Sequence, residues 1–172
     1  MLKKKLYNLT AVAVIVILTA LLFNGCASQT IQPSETINGF VPLAEVPADY
    51  PFEEATQRGD VVNLHGELSN MEAYEKFKGT IEKSEPTFMR FVAYTIEGDP
   101  ILMDVNFDGT LFQVTHDVSR DAFAGGIDKV MSYTYEGFEL LEDGRIRLHS
   151  AAATQPIPGT EAPQEVVLPL GM

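Results

Sequence analysis

The sequence predicts an α+β domain in which about two helices pack on an antiparallel sheet of roughly five strands. Three observations carry this expectation. A segment with helical spacing runs from Ser69 to Ser84, stopped by Pro86. From Phe88 onward the apolar period changes to two. Turns at Glu97-Gly98-Asp99-Pro100, Asp108-Gly109 and Asp143-Gly144 then divide the remainder into hairpins. A composition of 45% hydrophobic and 21% charged residues suits a packed core and not a disordered chain.

In chain order, Asp49 is placed to cap a short helix with Pro51 at an early position, running through Phe52 to Gln57 and stopping at Gly59. Asp60 to His65 reads as a strand ending at Gly66. In the second helix Ser69-Asn-Met-Glu72 fits a capping box, and Met71, Tyr74, Phe77 or Lys78, and Ile81 follow at helical spacing. Glu72 and Lys76 form a favourable i,i+4 pair. With tight turns in the meander that follows, Ile96 faces Ile101, Tyr94 faces Met103, and Val92 faces Val105. On the next strand Phe112 faces Val105, Val114 faces Met103, and His116 faces Ile101. One surface is then almost wholly apolar, and the other carries Asp104, Asn106, Gln113 and Thr115. A further hairpin runs from Met131 to Leu141 and returns through Arg145 to Ala151.

The ends have a different character. Lys3 to Lys5 precede an apolar run from Leu9 to Phe23, which Asn24-Gly25-Cys26 closes. A basic start, a short apolar stretch and a small residue before the cut mark a secretory signal. A membrane span needs about 20 apolar residues, more than this run supplies. Ending in Gly25-Cys26, the segment resembles the bacterial lipobox, whose cysteine receives a diacylglycerol and becomes the new N-terminus. Residues 1–25 are thus expected as a lipoprotein signal peptide, with Cys26 the lipid-attachment site. Residues 26–50, interrupted by Pro33, Gly39, Pro42 and Pro47, read as a flexible tether. Residues 51–153 form the α+β domain. Residues 154–172, with Pro156, Pro158, Pro163 and Pro169, form an extended tail in which Val166 to Leu168 can add an edge strand.

Once the three leader lysines are removed, nine basic residues face 24 acidic ones, a formal balance of −15. Such a surface disfavours nucleic acid and anionic headgroups and favours cationic partners, divalent ions or simple solubility. Cys26 is the one cysteine, so the domain has no internal disulfide.

Few constellations point to chemistry. Asp104-Val-Asn106-Phe-Asp108-Gly109 matches the first half of a calcium loop, but Thr115 stands where the bidentate Glu belongs, and a β-hairpin accounts for the same letters. Asp117, Ser119, Arg120 and Asp121 form a loop cluster that could bind a polar ligand or a cation. More often such residues hold their loop to itself, Asp and Ser bonding nearby N–H groups while Arg ties down a carboxylate. His65, His116 and His149 form no metal-ligand pair by spacing, and His116 is expected as a partly buried structural histidine. No nucleophile elbow, phosphate loop or catalytic cysteine occurs.

Gly59-Asp60-Val61-Val62, His65-Gly66, the helix from Asn70, Tyr94-Thr95, Glu97-Gly98-Asp99-Pro100, Asp108-Gly109, Asp117, Ser119-Arg120-Asp121 and Gly125-Gly126 together carry a resemblance. In their order and spacing, the span from about Asp60 to Gly126 resembles an uncharacterised family of small lipoproteins from Gram-positive, spore-forming bacteria, a domain of unknown function. The resemblance implies export and a compact α+β domain, and no known reaction.

The expectation is therefore an extracytoplasmic lipoprotein, held to the membrane through Cys26, that serves as a non-catalytic binding or accessory module for an envelope protein or small ligand. Asp99, Asp117, Arg120, Asp121 and His65 are the candidate ligand-binding residues. No catalytic residue, metal or cofactor is assigned. An envelope hydrolase using Asp and His loop residues, and a calcium-stabilised structural module, stand as alternatives.

Overall fold

The computed structural model describes residues 40–126, 128–150 and 165–168. The expected signal peptide, Cys26, the first part of the tether and most of the tail lie outside the described residues.

Two α-helices and two sheets make up the fold among the described residues. Helix α1 spans Phe52–Gln57 and α2 spans Met71–Ile81. The larger sheet contains β1 (Val61–Leu64), β2 (Glu67–Ser69), β3 (Thr87–Tyr94), β4 (Pro100–Phe107), β5 (Phe112–Asp117) and β6 (Val130–Tyr135), in the order β2-β1-β3-β4-β5-β6. A smaller sheet is formed by β7 (Gly137–Leu140), β8 (Ile146–His149) and β9 (Glu165–Leu168). The fold is α+β with two helices, as expected, but the larger sheet is mixed, because β1 runs parallel to β3. The reason lies in what separates them. After the unforeseen β1–β2 hairpin, α2 carries the chain back along the sheet, so β3 starts from the same end as β1. The Val166–Leu168 edge strand is present as part of β9, antiparallel to β8.

Register departs from expectation at both turns of the meander. Val92 lies opposite Leu102 and Ala93 opposite Ile101, a shift of three positions from the tight-turn alignment. The connection runs from Thr95 to Asp99, closed by the Thr95 N–H donating to the Asp99 carbonyl at 3.0 Å. An odd shift exchanges faces. Met89 and Phe91 therefore join Met103 and Val105, while Val92 and Tyr94 join Leu102. At the next turn Phe107 lies opposite Phe112 and Val105 opposite Val114. There Asp108 Oδ1 accepts the N–H groups of Thr110 and Leu111, both at 2.8 Å, so the loop is longer than an Asp-Gly dipeptide.

Both faces of the larger sheet consequently carry a core. On one, Tyr74, Phe77 and Ile81 of α2 meet Met89, Phe91, Met103, Val105, Phe112 and Val114, with Ile146, Leu148 and Leu168 of the smaller sheet closing the same cluster. The Tyr74 hydroxyl donates to the Leu168 carbonyl at 2.9 Å, fixing β9 to the helix. On the other face Val62, Val92, Tyr94 and Leu102 pack against Val46, Tyr50 and Ala55. Residues 41–50, expected within the tether, thus form a strap across this second face. It includes a 3-10 turn at Leu43–Glu45, and Tyr50 is fully buried. Burying an aliphatic side chain such as Val46 contributes about 1.5–3 kcal/mol. The opposite surface of the meander, expected to face water, is solvated at Asn106, Gln113 and Thr115 but covered at Asp104, which is 14% exposed.

The expected caps are also different. Pro51 occupies the N-cap of α1 with no side-chain hydrogen bond, in place of Asp49. Ser69 belongs to β2, and Asn70, in the left-handed region at φ 60°, precedes α2 without a capping bond. Its amide Nδ2 donates instead to the carbonyls of Thr56 (2.8 Å) and Asp60 (2.7 Å), stitching the end of α1 to the start of β1. Tertiary demand has overridden the local capping signal.

Gly109 sits at φ +99°, where an added Cβ would come within 3.0 Å of the Ser84 carbonyl oxygen. Gly109→Ala should therefore destabilise the protein by roughly 1–3 kcal/mol in urea unfolding. Gly125→Ala, whose Cβ meets nothing within 4 Å, should stay within about 0.5 kcal/mol.

Candidate functional site

The topology gathers three connections at one end of the larger sheet. β1 and β3, parallel to one another, both finish there, and so does β5, antiparallel to β4. The connections are the His65-Gly66 turn, the Thr95–Asp99 turn and the loop from Val118 to Lys129. All five candidate ligand-binding residues lie at this end.

Each of them is engaged with the protein's own backbone. His65, itself in the left-handed region at φ 52°, places Nε2 3.0 Å from the Thr95 carbonyl, joining the first two connections. Asp99 Oδ2 accepts the Ala122 N–H at 2.9 Å and joins the second to the third. Asp121 Oδ1 accepts the Phe123 N–H at 2.7 Å, an Asx turn within the third. His65 and the carboxylates of Asp99, Asp117 and Asp121 are thus tied to separate backbone groups. The self-holding alternative describes this cluster.

Asp117 and Arg120 do more. Asp117, 3% exposed, accepts the Ser119 N–H at 2.7 Å on Oδ1 and the Arg120 guanidinium on Oδ2. Burial opposes its ionisation, but the Ser119 side chain and N–H and the Arg120 charge outweigh that, holding its pKa below the usual carboxylate range. The remaining Arg120 donors reach the strap: Nε bonds the Pro47 carbonyl at 3.0 Å, and Nη2 bonds those of Leu43 (3.1 Å) and Val46 (2.9 Å). This pair is a clamp on residues 43–47. Asp117 and Arg120, expected among the ligand-binding residues, hold this strap through the donors and acceptors named above.

A second clamp of the same design was not foreseen. Arg90, 1% exposed, makes a two-pronged pair with Asp104 at 2.6 and 2.8 Å, and its Nη2 also donates to the Val41 carbonyl at 3.0 Å. Asp104, read in sequence as the first oxygen of half a calcium loop, is an arginine partner here. The hairpin account of Asp104 to Gly109 is the one observed. An arginine inside an otherwise apolar strand, opposite an aspartate on the next strand, was the available signal.

Asp60 is the third buried polar group, fully shielded from solvent. Its Oδ2 accepts the Tyr50 hydroxyl at 2.6 Å, while among the described residues Oδ1 has no partner. The Tyr94 hydroxyl donates to the Tyr50 carbonyl at 2.9 Å. Burial pushes the Asp60 pKa up to about 6, partly offset by the Tyr50 hydrogen bond and by Arg90. The Tyr50 hydroxyl is pushed upward, first by burial and then by Asp60. His116, opposite Met103 and Met131, is lowered by burial, as a half-buried structural histidine should be.

Two measurements follow. Removing Arg120 leaves Asp117 buried and unpaired, so Arg120→Ala should cost about 3–5 kcal/mol in unfolding free energy. It should also accelerate amide hydrogen exchange at residues 43–47, whereas Asp121→Ala should cost under about 1 kcal/mol. For Asp60 the folded pKa lies above the ordinary value of 3.8. Its favourable contribution is therefore full below about pH 4 and fades as pH rises through about 6. Asp60→Asn should flatten the stability profile between pH 4 and 7 and raise stability at pH 8 by roughly 1–3 kcal/mol. An unchanged slope would show that Asp60 is ionised in the fold at its ordinary pKa.

No curated protein and no solved structure matches the chain. One family model does, described as Domain of unknown function (DUF4362), and it covers residues 58–143. This stretch contains β1 to β6, α2, β7, both clamp pairs and all five loop-end residues. The expectation of an uncharacterised domain family is met, and, with half of its 172 residues matched, the chain belongs to the DUF4362 family.

Proposed function

We propose that this protein is an extracytoplasmic lipoprotein, anchored to the membrane through Cys26, whose DUF4362 domain acts as a non-catalytic binding or accessory module. The sequence of residues 1–26 supports the anchor: a basic start, an apolar run too short to span a bilayer, and Gly25-Cys26 at its end. Two acyl chains on one cysteine suffice for stable attachment.

A single observation carries the binding-module half. At the loop end, where three connections meet, His65, Asp99 and Asp121 are bonded to backbone groups of the neighbouring loops and Arg120 to the strap. Groups held in this way lock the loops into one shape. A shape fixed before encounter lowers the ordering cost of binding. Catalysis asks for something else: a base and a nucleophile converging on a point that substrate can reach. His65 bonds a carbonyl, and the most perturbed carboxylate, Asp60, is sealed from water.

Metabolic labelling with a fatty-acid probe should mark the wild-type chain and leave Cys26→Ser unmarked and in the soluble fraction. Equal labelling of both would sink the anchor. Against the hydrolase alternative, the purified chain should turn over no chromogenic ester or phosphoester substrate in a His65-dependent manner. Turnover abolished by His65→Ala would assign an enzyme.

A further inference from the structure

We infer that the loop end is a docking surface for a cationic, apolar protein segment, with Ile96 and Phe123 as its anchors. The inference rests on the binding-module reading and names the class of partner. Ile96 is 90% exposed and Phe123 is 77% exposed, the two most exposed large apolar side chains among the described residues. They occupy neighbouring connections, for Asp99 of the Ile96 turn accepts the N–H of Ala122, next to Phe123. Val130, 51% exposed, lies at the same end, opposite Asp117.

Isolated exposed apolar residues are ordinary on a protein surface. These differ in how they are displayed. The Ile96 turn is closed by Thr95 N–H to Asp99 carbonyl (3.0 Å) and Gly98 N–H to Thr95 carbonyl (3.0 Å). The Phe123 turn is closed by the Asp121 carboxylate and by Ala124 N–H to the Asp121 carbonyl (3.3 Å). Neither side chain folds back over its own loop despite the water it meets. Rigid aromatic and branched side chains presented in this way are the kind that serve as interface anchors.

Charge selects the partner. With the Asp117–Arg120 pair set aside as internally neutral, residues 95–99 and 118–130 contain Glu97, Asp99, Asp121 and Asp128 against Lys129 alone. An anionic bilayer or a second copy of this acidic chain meets like charge there. A segment presenting an apolar residue flanked by Lys or Arg meets opposite charge at the rim and an apolar contact at the centre.

The full chain, held in detergent micelles or nanodiscs, can be titrated against a panel of twelve-residue peptides by fluorescence anisotropy. Peptides with a Leu-Phe centre flanked by Lys and Arg should bind, and binding should weaken several-fold in 0.5 M salt. The same centre flanked by Glu, and Lys-rich peptides without an apolar centre, should bind at least tenfold more weakly. An Ile96→Ser/Phe123→Ser variant, with net charge unchanged and its unfolding temperature checked, should lose binding at least tenfold.

Equal binding by that variant, or no dependence on the flanking charge, overturns the surface while leaving the module reading in place. So does binding to phosphatidylcholine vesicles in preference to peptides, or dimerisation of the wild type lost in the variant. Absence of binding by any peptide overturns it as well. The anchor is read independently, by labelling at Cys26, and neither substitution touches that result.

Discussion

Strand β3 is buried along both faces, and most of the structure exists to cover it. Its sequence, Phe88-Met-Arg-Phe-Val-Ala-Tyr94, puts apolar side chains at odd and even positions alike. A strand of that kind cannot lie in a sheet with one wet face. One side is met by α2 and the smaller sheet, and the other by α1 and the strap. The parallel pairing with β1 belongs to the same constraint, since it places β3 inside the sheet with neighbours on both edges.

Covering the second face raises a problem that the two arginines answer. A strap running outside the sheet ladder turns carbonyls toward the protein, and each one left without a hydrogen bond there costs about as much as a lost bond. Arg90 and Arg120 supply the donors, and Asp104 and Asp117 neutralise the charge this brings inside. Each guanidinium is a fork with five donors in one plane, so it can serve a carboxylate and carbonyls together. A lysine could not span the same set. The carbonyls are recognised as backbone, so the clamps read the path of the strap and not its side chains.

Much of this was legible in the sequence, and the illegible part has a common cause. α2, the hairpin turns, the edge strand near Val166 and the internal ties at Asp117 and Asp121 all rest on local patterns, which a sequence displays directly; the expected single strand from Met131 to Leu141 is instead split, β6 joining β5 in the larger sheet and β7 pairing β8 in the smaller. The strap, the mixed pairing and the role of Arg90 rest on contacts between distant residues. Arg120 and Pro47, for instance, are bonded across 73 positions. Register failed for a finer reason: the first loop spans 95–99 where the turn was expected at 97–100, and the second spans 108–111, longer than Asp108-Gly109. Ile96, assigned to the apolar sheet face, stands in the open because of that one difference. The double parity of β3 was visible from the start, and it alone implied that a second covering layer had to come from somewhere.

The strap also bears on where the domain ends. The family match opens at residue 58 and closes at 143, which is the extent of the recognisable pattern. The buried core reaches further in both directions. Val46, Tyr50 and Ala55 lie before the match, and Ile146, Leu148 and Leu168 lie after it, all of them buried. Cut to the matched residues, the chain would strip one core of its covering layer and the other of three fully enclosed side chains. Arg90 and Arg120 would be left reaching for carbonyls that are no longer there. Among the described residues, the matched pattern and the buried core therefore differ in extent, the core drawing on side chains from Val46 to Leu168.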